Sequence, residues 1–341
     1  MGVYLTPIIE KKVVTLEDLR GRSFAVDGFV VLHQFLALIR TRNGQPLMDA
    51  QGRVTSHLVG LAFRSTRLIS DYGMKLVFVF DGKSPQLKRA ELEKRRVIRT
   101  KFEEEYREAI AAGDYKTAMS KAVMTGRLTG EEIADTKKLL DLLGIPWVQA
   151  PSEGEAQAAH MAAVGDVWAS NSQDYDSLLF GAPRLVRYIT IQGEEWLPSK
   201  GRARKLRPEV IELEGFLKTL QLTREQLIDL GILVGTDFNS GVRGIGPKTA
   251  LKLLRKHRNL EELPTEIRDQ LPVEIEAIRD IYLHPSITDN YSSDEKPVQE
   301  QKLIEFLCEE RSFSRERVET VITRMRKVRG QRSLGDWFGG V

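Results

Sequence analysis

The chain has 341 residues, room for one large domain with insertions or for about two domains. Its 51 Lys and Arg nearly balance 48 Asp and Glu, a net charge of +3, so any binding of nucleic acid has to rest on local clusters of basic residues. The single cysteine, Cys308, sits in an apolar helical pattern; it excludes an internal disulfide and a cysteine-based zinc site, and reads as a buried structural thiol. No transmembrane span or secretory signal is present. The start Met-Gly-Val-Tyr-Leu-Thr fits a loose myristoylation pattern, but one acyl chain anchors only marginally and no second signal follows.

Along the chain, 23–27 reads as a short buried strand ending on Asp27, and the apolar segment after Gly28 takes helical spacing. Apolar residues at Leu58, Leu61, Leu68 and Ile69 predict a helix capped by Thr55. A second apolar strand over 75–80 leads into Asp81 and Gly82. Strand, helix, strand in this order predicts a parallel sheet with crossovers, whose ligands lie outside the carboxyl ends of the strands. Asp27 and Asp81 would stand there, although an acid before Gly is also ordinary turn chemistry.

Between 88 and 101, Lys88, Arg89, Lys94, Arg95, Arg96, Arg99 and Lys101 face only Glu91 and Glu93. The segment 82–128 reads as a helical arch or lid able to hold phosphate, or as a salt-bridged pair of exposed helices. Thr129-Gly-Glu-Glu is a capping box for a helix ending at Gly144. Strand-like 147–149 follows, then a second capping box, Ser152-Glu-Gly-Glu, which accounts for Glu155 but not for Glu153.

A strand over 167–170 leads to Asp174 and Asp176, whose i, i+2 spacing in extended chain puts both on one side. Glu153, Glu155, Asp174 and Asp176 therefore flank one strand, and acids so crowded repel one another unless a cation lies between them.

A further strand is expected over 185–191 and a polar loop or hairpin over 194–205; from Pro208 the chain reads as helical. A capping box, Thr223-Arg-Glu-Gln, begins a helix to Val234, followed by Gly235, Thr236 and Asp237. Gly-Val-Arg-Gly-Ile-Gly-Pro-Lys-Thr over 241–249 then opens a helix over 250–256. Pro247 between Gly246 and Lys248, with no buried strand before the loop, argues against a nucleotide-binding P-loop. The other reading is a glycine-rich hairpin whose amides grip a DNA backbone phosphate, supported by Lys248, Lys252, Arg255, Lys256 and Arg258. A last amphipathic helix starts near Phe313. Leu334, Trp337 and Phe338, spaced for a single helical turn, would either anchor in a partner's pocket or fold back on the core.

Taken together, Val26-Asp27, Val79-Phe-Asp-Gly, Ser152-Glu-Gly-Glu-Ala-Gln, Gln173-Asp-Tyr-Asp, Gly235-Thr-Asp and Gly244-Ile-Gly-Pro-Lys resemble the flap endonucleases of archaeal and eukaryotic cells, in the structure-specific 5′-nuclease superfamily. The resemblance runs from Gly2 to Phe338. It implies an α/β fold of PIN-like 5′-nuclease type, with a central mostly parallel sheet flanked by helices, a helical arch over the active site and a helix-turn-helix duplex-binding segment. The implied organisation is a nuclease core over 1–330, with the arch at 82–128 and the helix-turn-helix at 225–258, and a flexible tail over 331–341.

By the same resemblance, Asp27, Asp81, Glu153, Glu155, Asp174, Asp176 and Asp237 hold two Mg²⁺, for which Mn²⁺ can substitute. An all-oxygen ligand set suits these ions, which would activate a water and steady the leaving 3′ oxygen. Lys88 and Arg95 match arch residues at the scissile phosphate and join Glu155 as catalytic residues. Gly2, His33, Arg40, Thr55, Arg64, Gly244, Gly246, Lys248, Thr249 and Lys252 fall on DNA-contact positions, and the loop at 244–246 holds K⁺ in the family. His33 departs from the usual base-stacking tyrosine. Gln331, Leu334, Trp337 and Phe338 resemble the motif that docks on the sliding clamp, proliferating-cell nuclear antigen, with Trp337 where Phe is usual.

The expected activity is structure-specific 5′ flap endonuclease action with 5′–3′ exonuclease action, in replication (Okazaki fragment maturation) and repair, by a monomer without membrane contact. The expected location is intracellular: cytoplasm and nucleoid if archaeal, as the chain's end just past the clamp motif resembles, or nucleus if eukaryotic. The rival readings are an RNA-cleaving PIN-type nuclease and a non-catalytic junction-binding clamp adaptor.

Overall fold

The computed structural model describes residues 2–41, 45–114, 117, 121, 128–190, 194–197 and 202–338; at 90, 95, 99, 110, 194–197, 202–205 and 328–338 it describes the backbone alone. Nine strands are assigned among the described residues: β1 (Lys12–Val13), β2 (Ser23–Asp27), β3 (Lys75–Phe80), β4 (Trp147–Gln149), β5 (Ala169–Asn171), β6 (Arg184–Arg187), β7 (Glu194–Leu197), β8 (Arg202–Lys205) and β9 (Glu209–Glu212). Seven of them form one sheet in the order β1-β9-β6-β5-β2-β3-β4, and β7 with β8 makes a separate hairpin. From β6 to β4 all neighbours are parallel, while β9 runs antiparallel to both β6 and β1. The expected mostly parallel sheet is thus present.

Its order explains where a ligand would go. The chain steps from β2 to β3 to β4 in one direction, then returns to place β5 and β6 on the other side of β2. At such a switch point the two adjacent crossovers leave a crevice at the strands' carboxyl ends, here between β2 and β5. The central strands are continuous apolar runs because helices cover both faces. One apolar cluster gathers Phe24, Phe78 and Phe80 with Leu32, Leu61 and Leu140; another joins Leu179 and Leu185 to Leu227, Leu230 and Tyr282 of the helical half.

Four local expectations are corrected. The segment after Pro208 is strand β9 before it is helix, because Val210 and Ile211 pair with Val186 and Leu185 of β6. The expected strand over 185–191 stops at Arg187, where Tyr188 takes the left-handed conformation (φ 63°). Thr55 stands before the helix Ser56–Gly60 but makes no side-chain cap; its amide bonds to Leu47 O. Cys308 is half-buried, in a π-helical turn, Glu305–Glu310.

Candidate active site

All seven predicted acids lie at the carboxyl side of the parallel strands or on the turn that faces it. Asp27 ends β2 and caps the next helix, accepting from the Val30 amide (3.0 Å) and from the Ser172 hydroxyl (3.2 Å). Asp81 follows β3 and accepts from the Gly154 amide at 2.6 Å. A Cβ on Gly154 would stand 2.7 Å from Asp81 Oδ1, so glycine is what lets this amide approach.

That contact overturns the second capping box. Ser152 does not cap; its hydroxyl bonds Lys83 O, and the helix Gly154–Ala163 starts on Glu153 with its first amide given to Asp81 across the sheet. Glu155 is thereby released from capping and accepts from the Ser177 hydroxyl (3.3 Å).

Asp174 follows β5, and Asp176 opens the short helix Asp176–Leu179. A bend and a helix start, rather than extended chain, bring these two acids together. Asp176 accepts from the Val3 amide (3.1 Å) and the Tyr282 hydroxyl (3.4 Å). Asp237 arrives from the helical half on a turn after the helix Arg224–Val234, pinned by Thr236 Oγ1 to Asn239 Oδ1 (2.8 Å) and Asn239 Nδ2 to Ile232 O (2.7 Å). Gly241 closes it, since a Cβ there would meet Val234 O at 2.4 Å.

The electrostatics tie the seven into one cluster. Burial, followed by repulsion from Asp81 and Asp174, pushes Asp27 up to about 7. Burial, then Asp237 and Asp174, does the same to Asp176, also to about 7. Glu155 rises well above the carboxylate range through burial and the charges of Asp176, Asp27 and Asp174. Burial also raises Glu153 and Asp81, against the pull of Lys88. Burial alone would discharge Lys88, but Glu153, Asp237 and Asp81 overcome it and hold the ammonium charged. Lys88 is hydrogen-bonded to Glu153 and stands 3.2 Å from Asp237.

Among the described residues no three of these side chains already stand at the spacing of one ion's ligands. The donor set nevertheless fits a hard divalent cation: only carboxylate oxygens, drawn from separate segments, crowded into mutual repulsion and, among the described residues, paired with the Lys88 ammonium. Adding cationic charge here relieves the cost that raises five of these acids, Asp27, Asp81, Glu153, Glu155 and Asp176.

Gly2 lies hard against the cluster; a Cβ on it would fall 1.7 Å from Asp176 Oδ2. His33 is half-buried on the helix Gly28–Leu38. Arg40 donates to Ala37 O (3.2 Å), and Thr55 is buried. Arg64 spends its guanidinium on Ile189 O (2.8 Å) and Thr190 O (3.1 Å), with burial pulling it down to about 10. Gly244 (φ 80°), Gly246, Lys248, Thr249 and Lys252 are exposed around the N-terminal end of the helix Pro247–His257. Arg255 on that helix instead bonds Leu220 O and Thr219 O.

Arg95 belongs to the helix Arg89–Ala111, but its side chain lies outside the described residues. The same holds for Gln331, Leu334, Trp337 and Phe338, whose backbone continues the helix Arg315–Phe338. Residues that sequence reasoning missed are Ser172, Ser177 and Tyr282, each bonded to one of the acids. The two serines sit within a few residues of Asp174 and Asp176, a proximity signal that could have found them; Tyr282 comes from a distant helix and leaves none.

A model of the XPG N-terminal domain matches residues 1–102 and a model of the XPG I-region matches 144–237. The chain is 48% identical to flap endonuclease 1 of Pyrococcus furiosus, over 99% of both chains, and 47% identical to flap endonuclease 1 of Staphylothermus marinus, over 96% of this chain and 95% of that one. The solved flap endonuclease-1 of Methanococcus jannaschii superimposes with a TM-score of 0.77 at 37% identity, covering 97% of this chain and all of the other (100%). The catalytic core of Rad2 in complex with DNA substrate, at 22% identity and TM-score 0.70 over 95% and 100%, shares the fold. With identity near one half sustained over almost the full length, and the two XPG matches carrying all seven acids between them, the chain belongs to the flap endonuclease family of nucleases.

Proposed function

We propose that this chain is a structure-specific 5′ flap endonuclease, with 5′–3′ exonuclease action, that hydrolyses one DNA phosphodiester near a flap junction in replication and repair. The observation that carries this reading is the convergence of seven carboxylates and Lys88 at the switch point of the sheet, with an exposed basic helix end, Lys248 to Lys252, on the same helical half that supplies Asp237.

Asp27, Asp81, Glu153, Glu155, Asp174, Asp176 and Asp237 would hold two divalent ions, magnesium with manganese as substitute. When bound, the ions supply Lewis acidity at the phosphodiester and lower the pKa of an attacking water. The chain does the rest. Ser172, Ser177, the Gly154 amide and the Val3 amide orient carboxylate oxygens. Lys88, released from Glu153 and Asp237, would turn to the phosphate, with Arg95 beside it, and offset charge growing on its oxygens.

Outside the acid cluster, the amides around Gly244 and Gly246, with Lys248, Thr249 and Lys252, would position the duplex through backbone phosphates, and the same loop would take a potassium ion. His33, Arg40, Thr55 and Arg64 would border the junction. The tail, through Gln331, Leu334, Trp337 and Phe338, would dock on a sliding clamp, and the enzyme would act as an intracellular monomer. No described helix is long and apolar enough to cross a membrane.

The test is cleavage of single-flap, nicked and unpaired DNA, and of matched RNA, in magnesium, in calcium and in chelator. Incision at the flap junction, with 5′–3′ removal from the nick, is expected in magnesium and not in calcium or chelator, leaving a 5′ phosphate on the retained strand. Equal cutting of unpaired DNA or of RNA would refute the assignment.

A further inference from the structure

The acid-bearing turn after β5 is held by a residue that stands outside the acid cluster. Arg187 ends β6, and its side chain is only 11% exposed. Nε donates to Gln173 O (2.9 Å), Nη1 donates to the Tyr175 hydroxyl (2.6 Å), and Nη2 donates to the Tyr188 hydroxyl (2.8 Å). The guanidinium also lies over the rings of Tyr175 (4.4 Å) and Tyr188 (4.7 Å). Tyr188 takes the left-handed backbone conformation, which is unfavourable for an aromatic residue.

Residues 173 and 175 are the two neighbours of Asp174, so one rigid guanidinium grips the chain on both sides of that acid. Asp176 is reached by a second route. The Tyr175 hydroxyl shares a hydrogen bond with Thr6 Oγ1 (3.2 Å), in the same N-terminal segment whose Val3 amide donates to Asp176.

A plain structural role would be the ion pair with Glu209 (3.4 Å), the cross-strand partner of Arg187 in the β6–β9 register. Glu209 is already served by Lys11 at 2.6 Å, however, and its hydrogen bond from Arg187 is the longest of the four described for the guanidinium. Three of its donor directions go to the acid-bearing turn and the adjoining tyrosine. Only a planar fork with fixed donor angles can make them together, and a lysine ammonium cannot.

We propose that Arg187 is a positioning residue for Asp174 and Asp176, setting where their oxygens meet a divalent cation. This rests on reading those two acids as metal ligands. Partners that orient ligands from behind typically change metal affinity or activity by about 10- to 100-fold when removed.

The experiment uses the full chain with Arg187→Met, Arg187→Lys, Glu209→Gln and Asp174→Asn. Calcium affinity is measured by calorimetry without DNA, and the magnesium dependence of flap cleavage by single-turnover rates. Both Arg187 variants are expected to weaken calcium binding and raise the half-saturating magnesium concentration by about 10- to 100-fold, with rate partly recovered at high magnesium. Junction binding in chelator stays unchanged. Glu209→Gln lowers the melting temperature without moving either metal constant.

Unchanged metal constants in Arg187→Lys, or an equal shift in Glu209→Gln, would overturn the positioning role even if Arg187→Met fails to fold. Asp174→Asn separates the two levels: if it leaves calcium binding intact, the metal-ligand reading fails; if it weakens calcium while the Arg187 variants do not, only the positioning role fails.

Discussion

Replacing Lys88 by Met should move metal binding and chemistry in opposite directions. The ammonium is buried, bonded to Glu153 and 3.2 Å from Asp237, with Asp81 close enough to raise its pKa further. It occupies part of the field that a divalent ion would otherwise fill, and it repels an ion placed among the same oxygens. At about 5 Å a unit charge and a divalent ion repel by about 7 kcal/mol at an effective dielectric of 20, and by about 1.7 kcal/mol where water screens fully. Removing it should tighten calcium or magnesium binding to the DNA-free protein by at least about 15-fold. In the presence of flap DNA the same ammonium would stabilise the phosphate as charge develops, and losing one such donor costs about 100- to 1,000-fold in rate. Calorimetry of calcium binding and single-turnover cleavage at saturating magnesium read the two effects separately. A variant that binds metal more weakly, or that cleaves at the wild-type rate, would refute the internal counter-ion.

Three further outcomes follow from other parts of the molecule. Lys248→Ala should weaken duplex binding uniformly across sequences and reduce the slope of log affinity against log salt by about 1; an unchanged slope removes Lys248 from the DNA surface. His57 is buried and, among the described residues, neither ring nitrogen has a hydrogen-bond partner; burial lowers its pKa from 6.5 to about 4. Because the folded state disfavours the charged ring, its contribution is intact above pH 6.5 and is lost as pH falls from 6.5 towards 4. The loss amounts to about 3 kcal/mol at 1.36 kcal/mol per pH unit. Denaturant titrations across that window should show a shallower acid limb in His57→Leu, and an identical limb would contradict the assignment. A peptide covering 330–341 should bind a sliding clamp and its Phe338→Ala form should not; equal binding would sink the anchor role.

Much of the site was readable because its acids follow strong local signals. Asp27 and Asp81 each close a short continuous apolar run, the pattern of a parallel strand buried on both faces. The surplus of Glu153 over a capping requirement, and the doublet of Asp174 and Asp176, mark the other half. What escaped was decided by contacts distant in sequence. β1 is two residues long, and β9 carries Glu-Val-Ile-Glu directly before a helix, too short for its period to be told from the helix that follows. Ser152 has the spacing of a cap, but the helix amide it would serve goes to Asp81, 73 residues earlier. Arg187 and Tyr282 carry no motif at all; their partners, Tyr175 and Asp176, meet them only after β6 and the helix Ile275–Leu283 have packed.

Asp176 lies where both halves of the molecule meet: the charges of Asp237 and Asp174 raise it, its own charge raises Glu155, and Val3 and Tyr282 hold it. The most direct test is Asp176→Ala, assayed for single-flap incision in magnesium and for junction affinity in calcium. Incision should be abolished while junction affinity stays close to wild type. Near wild-type incision by this variant would contradict the metal-dependent site.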